Sequence, residues 1–169
     1  CFRWPQFVGM DEWKFAMKET ELLVKYLQKH TEVTDLLFTG GDPMIMKNKI
    51  FATYIDALIE ADIPNLQTIR IGTKALGYWP YKFLTEDDAE DTLRTFEKIV
   101  KSGKNLAIMA HFNHPAELST DAVKQAIAKV RATGAQIRTQ SPLMKNINAD
   151  ADIWATMWRQ QVNLNCIPY

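Results

Sequence analysis

Hydrophobic positions along the chain follow two patterns that alternate: short continuous runs, and stretches with apolar residues three or four apart. The runs are typical of strands covered on both faces of a parallel sheet, and the wider spacing is typical of amphipathic helices. The spacing predicts helices over about residues 11–31, 49–61, 85–102, 120–133 and 150–161. The runs predict strands at residues 35–38 and 106–110, and interrupted apolar segments that follow the other helices predict strands at 66–71, 135–138 and 162–167.

Each predicted strand follows a helix, which predicts parallel βα units with right-handed crossovers. An α/β barrel and a doubly wound sheet both fit this alternation. Polar residues follow four successive strands, at Asp42, residues 70–74, residues 111–115 and Gln140–Ser141. A barrel gathers such residues at one mouth, whereas a doubly wound sheet concentrates them at one switch point. The sequence therefore favours a closed or partly closed barrel.

Charge and cysteine content narrow the class of protein. Lys plus Arg and Asp plus Glu both number 20 among 169 residues, so no general attraction to nucleic acid or an anionic membrane is encoded. No apolar run approaches the roughly 20 residues that span a bilayer. Cys1 and Cys166 stand at opposite ends of the chain, which makes a disulfide framework unlikely. These features predict a cytoplasmic protein with small-molecule ligands.

Residues 39–43, Thr-Gly-Gly-Asp-Pro, directly follow the apolar run of the first strand. Two glycines let the backbone approach a ligand closely, and ligands bind at the carboxyl ends of parallel strands. Asp42 is therefore a candidate for hydrogen bonds to a ligand or for metal coordination. A tight turn in which Asp42 caps the next segment explains the same residues. Taken alone, the loop does not decide between these interpretations.

Other side chains give weaker indications of a binding or structural role. His111 and His114, three residues apart, fit a divalent metal site only loosely, and a mixed role, with one histidine on a ligand and the other bonded to backbone, is favoured. Cys166, Trp154 and Trp158 are expected to pack in the core. Residues 78–81, Tyr-Trp-Pro-Tyr, are read as an aromatic plug, with a recognition loop as the alternative.

Six short motifs occur in one order along the chain: Cys-Phe-Arg at 1–3, Thr-Gly-Gly-Asp-Pro at 39–43, Ile-Arg-Ile-Gly-Thr at 69–73, His-Phe-Asn-His-Pro at 111–115, Gln-Ser at 140–141 and Ile-Pro-Tyr at 167–169. In this order and approximate spacing they resemble the lysine 2,3-aminomutase family of radical S-adenosylmethionine enzymes. The resemblance spans the chain. It implies an α/β fold, a parallel partial (β/α)6 TIM-like barrel, with residues 1–169 as one domain that is truncated at both ends and supplies strands two to six.

The resemblance also implies cofactor-binding residues. Cys1 resembles the third cysteine of the CxxxCxxC motif that holds a [4Fe-4S] cluster, with the other two cysteines expected upstream. Gly40, Gly41 and Asp42 resemble residues that bind the methionine part of S-adenosylmethionine. His111 and Gln140 resemble further contacts to that cofactor.

For the substrate, Arg3 resembles an arginine that pairs with the substrate carboxylate. The implied reaction is cleavage of S-adenosylmethionine to a 5′-deoxyadenosyl radical, hydrogen abstraction from an amino acid held on pyridoxal phosphate, and 1,2-migration of the amino group. The lysine that binds pyridoxal phosphate is expected downstream. Trp4, Lys74 and a longer segment between Lys74 and His111 depart from the family pattern, which leaves the amino acid open.

Two alternatives remain beside the aminomutase. One is a metal-dependent barrel hydrolase with His111, His114 and Asp42 on one ion. The other is a barrel that binds cofactor or a partner without turnover. For the aminomutase, the expected partners are an amino acid substrate and an electron donor that reduces the cluster, with a homo-oligomer as a further option. Neither nucleic acid nor a membrane is expected as a partner.

Overall fold

The computed structural model describes residues 19–169. Six α-helices lie in this part of the chain: α1 (Thr20–Lys29), α2 (Asn48–Glu60), α3 (Ala75–Tyr78), α4 (Ala89–Lys101), α5 (Asp121–Ala132) and α6 (Ala151–Asn163). Its five strands are β1 (Asp35–Phe38), β2 (Thr68–Thr73), β3 (Asn105–His111), β4 (Gln136–Gln140) and β5 (Ile167–Pro168). Short 3-10 helices occupy Pro43–Ile45, Pro80–Phe83 and Pro115–Leu118.

The five strands form a single parallel sheet in the order β1-β2-β3-β4-β5. Each strand therefore pairs with the strand that follows it in the chain. A doubly wound sheet reverses its strand order at a switch point, and no such reversal occurs within residues 19–169. The predicted α/β class with parallel strands is confirmed, and the continuous winding is the kind that a barrel uses.

One face of the sheet is buried under the helices. Ile69 and Ile71 of β2 are fully buried. Ile108 of β3 and Ile137 of β4 each expose only 1 % of their surface. Helix side chains complete this core, where Phe51 of α2 and Phe96 of α4 meet edge to face. Burial of this apolar surface is the main stabilising contribution to the fold.

The opposite side of the sheet, which we call the open face, is mixed in character. Its residues on β2 and β4 are Arg70, Gly72, Gln136, Arg138 and Gln140, and β3 between these strands contributes the apolar Ala107 and Met109. On β4 the alternation is complete, since Ile137 and Thr139 are buried and the three open-face residues are exposed. A face that carries charged and amide side chains is suited to holding a polar ligand once that face is covered.

Side chains cap the first turn of two helices. The hydroxyl of Thr120 accepts the amide of Val123 and begins α5, and Gly134, with φ of 90°, follows the end of that helix. The carboxylate of Asp150 accepts two amides at the start of α6. These side chains satisfy backbone groups that a helix leaves without partners.

Several predicted elements differ from the structure. The predicted start of a helix at residue 85 is wrong, because α4 begins at Ala89 and the Asp88 side chain bonds to Asn48 and Lys82. The strand predicted at 162–167 is mostly wrong, because α6 continues to Asn163 and only Ile167–Pro168 pairs with β4. The helix predicted from residue 11 is described only from Thr20 onward. None of the helices in residues 19–169 has the length and apolar content needed to cross a bilayer.

Candidate functional site

The carboxyl ends of β1 to β4 meet at one edge of the sheet. The register places Thr73 of β2 beside Ala110 of β3, and His111 of β3 beside Gln140 of β4. The loop after β1 reaches the same edge through Asp42. Loops after four neighbouring strands therefore share one edge, which is where parallel α/β folds bind their ligands.

The two glycines of the loop after β1 face open space. A Cβ atom added to Gly40 or Gly41 would have no heavy atom within 4 Å. Gly40 also has φ of 149°, a conformation that residues with a side chain rarely adopt. The backbone of this loop is therefore accessible to a ligand, and glycine at position 40 is required by the chain path itself.

Asp42 is bonded to the protein through both of its carboxylate oxygens. It accepts the amide of Met44 at 3.0 Å and the amide of Lys74 at 2.7 Å. The hydroxyl of Thr73 donates to both oxygens, at 2.7 and 2.9 Å. Asp42 thus caps the 3-10 helix Pro43–Ile45, as the turn interpretation predicts, and it also joins the loop after β1 to the end of β2.

The loop after β2 carries an ion pair. The ammonium of Lys74 lies 3.1 and 2.9 Å from the two carboxylate oxygens of Glu117, and it also donates to the carbonyl of His111 at 3.5 Å. Glu117 belongs to the 3-10 helix that follows β3. Lys74 therefore fixes the loop after β2 to the loop after β3, with its charge already paired.

His111 and Gln140 form the centre of the edge. Beyond their pairing in the sheet, the amide of Phe112 donates to the carbonyl of Gln140 at 3.2 Å. The Nε2 atom of His111 lies 2.5 Å from Oδ1 of Asn113. The side chain of His111 is half-buried and that of Gln140 is exposed. A ligand at this edge would meet both residues side by side.

Asn148 organises the loop after β4 and was not singled out from the sequence. Its side chain is fully buried. Its Nδ2 group donates to the carbonyls of Asn113 and Pro142 at 2.9 and 3.0 Å, and its Oδ1 accepts the amide of Met144 at 2.7 Å. A polar residue in a loop rich in polar residues gives no sequence signal of burial, so this role becomes visible only in the structure.

The ion pair between Lys82 and Asp88 holds the segment that follows the loop after β1. Lys82 is 2 % exposed and its ammonium lies 2.8 and 2.9 Å from the carboxylate oxygens of Asp88. Asp88 also accepts the amide of Asn48, at the start of α2, while Lys82 donates to the carbonyl of Met46 at 3.3 Å. The pair therefore fixes the segment that connects the loop to α2.

The charges at this site change the ionisation of two side chains. Burial raises the pKa of Asp88, but the hydrogen bonds from Lys82 and from the Asn48 amide, with the charges of Lys82 and Lys47, outweigh it and lower the pKa overall. Burial, and then the negative charge of Asp42, raise the pKa of Tyr78 above its ordinary value. Tyr78 therefore presents a neutral phenol near the loop after β1.

Comparison with known proteins finds relatives among the aminomutases. No protein-family model matches the chain. A protein of Aquifex aeolicus, named provisionally as an L-lysine 2,3-aminomutase, is 33 % identical over the whole chain. The L-lysine 2,3-aminomutase of Haemophilus influenzae is 29 % identical over the whole chain, and the glutamate 2,3-aminomutase of Clostridioides difficile is 27 % identical over 86 % of it. The resemblance to the lysine 2,3-aminomutase family is confirmed.

The chain covers less than half of each of these aminomutases. It corresponds to 43 % of the Aquifex protein, 46 % of the Haemophilus enzyme and 32 % of the Clostridioides enzyme. Two residues assigned from the aminomutase resemblance, Cys1 and Arg3, lie outside the described residues. Gly40, Gly41, Asp42, His111 and Gln140 all lie at or near the carboxyl edge of the sheet.

The structure does not support the alternative in which His111, His114 and Asp42 bind one metal ion. Asp42 is bonded as described above, and Nδ1 of His114 accepts the amide of Ala116 at 3.1 Å. Within residues 19–169, no three His, Cys, Asp or Glu side chains are grouped so that they could hold a metal ion. The interpretation in which His114 bonds backbone agrees with the geometry, and the hydrolase with His111, His114 and Asp42 on one ion is set aside.

The aromatic and cysteine predictions have mixed outcomes. Cys166 is buried as expected, and burial raises the pKa of its thiol to about 11. Trp154 packs against the core, but Trp158 is 47 % exposed, so the prediction of a core position is wrong for the second tryptophan. Tyr78 and Tyr81 are both about half exposed, so they do not form a buried plug.

Proposed function

We propose that the chain is part of a radical S-adenosylmethionine aminomutase, which moves an amino group between neighbouring carbons of an amino acid. The observation that carries the proposal is whole-chain similarity to aminomutases, combined with the position of the resembling residues. Gly40–Asp42, His111 and Gln140 are far apart in sequence but lie at or near one edge of the sheet. In the proposal, this sheet is part of a (β/α)6 barrel and its open face lines the interior.

The loop after β1 fits the methionine part of S-adenosylmethionine. The space beside Gly40 and Gly41 is free, and their backbone amides and carbonyls match the amino and carboxylate groups of methionine in hydrogen-bonding character. Because the Asp42 carboxylate already accepts three protein donors, its contribution is to hold the loop in position. When bound next to a reduced cluster, S-adenosylmethionine supplies a 5′-deoxyadenosyl radical that abstracts hydrogen from the substrate.

His111 and Gln140 extend the proposed cofactor site along the edge. The Gln140 side chain offers both a donor and an acceptor, and it is exposed on the open face. The imidazole of His111 is held against Asn113, which fixes the direction in which its other ring nitrogen points. These two residues would orient the cofactor, and the pairing of β3 with β4 keeps their spacing constant.

The remaining roles are proposed from the aminomutase resemblance. Cys1 would be one thiolate ligand of a [4Fe-4S] cluster, and Arg3 would pair with the substrate α-carboxylate. Pyridoxal phosphate, carried by a lysine outside this chain, would bind the substrate amino group in place of that lysine, and an electron donor would reduce the cluster. The relatives include both a lysine and a glutamate 2,3-aminomutase, so the side chain of the amino acid is the open question.

The test uses the full-length protein, reconstituted anaerobically with iron and sulfide and reduced with dithionite. We expect 5′-deoxyadenosine to form from S-adenosylmethionine, and its amount to rise when the correct amino acid is added. Formation of a β-amino acid, detected by mass spectrometry, would establish the amino migration. If the reduced, cluster-loaded protein forms no 5′-deoxyadenosine with any amino acid, the proposal is wrong, and a barrel that binds without turnover becomes the better account.

A further inference from the structure

Arg138 lies on the open face, one row below the pair formed by His111 and Gln140. The register places Arg138 beside Met109 on one side and Ile167 on the other. Met109 in turn pairs with Gly72, so these four residues form one row across the sheet. The arginine is exposed, and its row begins at a glycine and includes a nearly buried methionine. This row therefore presents one charged group, between apolar neighbours.

Arg138 has no carboxylate partner within residues 19–169. Its guanidinium makes one long hydrogen bond, to Oε1 of Gln136 at 3.4 Å. The other arginine of the open face behaves differently, because Arg70 donates to Asp35 at 2.7 Å and its charge is paired. Arg138 is nearer the carboxyl edge than Arg70, and within residues 19–169 it is the one of the two without a carboxylate partner.

The carboxylates near the carboxyl edge are already engaged. Asp42 accepts three donors, Glu117 pairs with Lys74, and Asp150 caps α6. None of these three is bonded to Arg138. A ligand with an ammonium side chain would therefore meet an unpaired cation here, whereas a ligand with a carboxylate would meet a group that can bind it through two parallel hydrogen bonds.

Enclosure of the open face would make an unpaired charge on Arg138 costly. A charge that is removed from water without a partner carries a large free-energy cost, and a barrel interior removes the open face from water. Arg138 therefore needs an anion when the barrel closes around its ligand. Because the proposed site already assigns Arg3 to the α-carboxylate, a second carboxylate on the substrate would match Arg138.

We propose that Arg138 binds the side-chain carboxylate of an acidic amino acid, and that the substrate class is therefore dicarboxylic rather than a diamino acid such as lysine. The inference rests on the proposed aminomutase function, since it uses the open face as the wall of a substrate site. Arg138 would determine specificity, while His111 and Gln140 in the row above orient the cofactor.

The experiment measures equilibrium binding to full-length, cluster-loaded protein by calorimetry, with S-adenosylmethionine present. The probes are L-glutamate against L-glutamine, and L-aspartate against L-asparagine, so that each acid is compared with its uncharged amide. We expect one acid to bind at least about 30-fold more tightly than its amide, and Arg138→Gln to remove most of that preference. Arg138→Lys keeps the charge but loses the paired geometry, so it retains part of the preference.

Arg70→Gln is the matched control, because it removes an arginine from the same face whose charge is already paired with Asp35. It should leave the preference for the acid unchanged. The inference is overturned if neither acid is preferred, if Arg138→Gln keeps the preference, or if that variant weakens S-adenosylmethionine binding instead. Formation of 5′-deoxyadenosine is measured in parallel. Acid binding that depends on Arg138 without any 5′-deoxyadenosine would refute the radical function and not the binding role of Arg138.

Discussion

The hydroxyl of Thr73 donates to both carboxylate oxygens of Asp42, at 2.7 and 2.9 Å, across 31 positions of sequence. The same hydroxyl oxygen accepts the amide of Ala75 at 2.9 Å. Thr73 is therefore the connection through which the end of β2 holds the loop after β1. The loop that we assign to the cofactor owes its position to a neighbouring strand as much as to its own glycines.

Replacement of Thr73 tests this connection. Thr73→Val keeps the shape of the side chain but leaves the Ala75 amide without its acceptor and the Asp42 carboxylate without its hydroxyl donor, so we expect the free energy of unfolding to fall by about 1–3 kcal/mol. Hydrogen exchange should also accelerate at the amides of Met44 and Lys74, which Asp42 accepts. Thr73→Ser retains the hydroxyl and serves as control. Equal exchange rates in the two variants would show that the hydroxyl does not order the loop.

Gly40 and Gly41 provide a matched pair of substitutions. Alanine at position 40 must adopt φ near 149°, at a cost of about 1–3 kcal/mol in the free energy of unfolding. Alanine at position 41 has no such conflict and no neighbour within 4 Å, so Gly41→Ala should leave the melting temperature nearly unchanged.

In the binding assay, however, the new methyl group of Gly41→Ala occupies the space proposed for methionine. We expect it to weaken S-adenosylmethionine binding by about 1–3 kcal/mol, the range typical of overpacking. Calorimetry on the full-length protein measures this loss. Unchanged affinity in a folded Gly41→Ala variant would place the cofactor away from this loop.

The ion pair of Lys82 and Asp88 makes a prediction about stability. Asp88→Ala leaves the Lys82 ammonium buried without its carboxylate, so we expect a loss of about 3–5 kcal/mol in the free energy of unfolding. Adding Lys82→Met removes the stranded charge and should recover most of this loss. Urea denaturation of both variants measures the difference. Asp87→Ala, at the exposed neighbouring residue, is the control, and equal losses in single and double variants would contradict the account.

Acid stability follows from the same carboxylate. Burial alone raises the pKa of Asp88, but its bonds to Lys82 and to the Asn48 amide reverse this and lower the pKa below the ordinary value of 3.8. A carboxyl group with a lowered folded-state pKa stabilises the fold above its unfolded pKa and loses that contribution as pH falls through the folded pKa. We therefore expect stability to decline below about pH 4, and Asp88→Asn to flatten that decline. A decline of equal steepness in Asp88→Asn would exclude Asp88 as its cause.

These contacts show what the sequence could predict and what it could not. The strand at 35–38 was predicted, and the turn at Asp42 was one of two interpretations of its loop, because an apolar run and a Gly-Gly-Asp-Pro sequence act locally. The bond from Thr73 to Asp42 was not predicted, because it depends on how β1 and β2 pair. Lys82 was missed for a similar reason: a lysine in a loop is usually exposed, and its burial depends on contacts with residues such as Asp88 and Met46 that the sequence does not show.

The end of the chain shows a second limit. Val162 begins the segment Val-Asn-Leu-Asn-Cys-Ile, in which apolar residues recur as in a strand, but the structure places Val162 in α6 with 57 % of its surface exposed. The buried residues Met157 and Gln161 continue the helical spacing to this point, and Asn165, with φ of 56°, then turns the chain toward β5. A short segment with this pattern fits either element, and packing decides between them.

Cys166 supplies a prediction about reactivity. It is 4 % exposed, and burial raises the pKa of its thiol to about 11. Since the thiolate is the reactive species, the native protein should hardly react at Cys166 with iodoacetamide at pH 8, whereas protein unfolded in urea should react fully. Mass spectrometry of the peptide that contains Cys166 measures the extent of alkylation in both samples. Rapid alkylation of the native, folded protein would mean that the segment joining α6 to β5 opens readily, and that Cys166 is not held in the core by its neighbours.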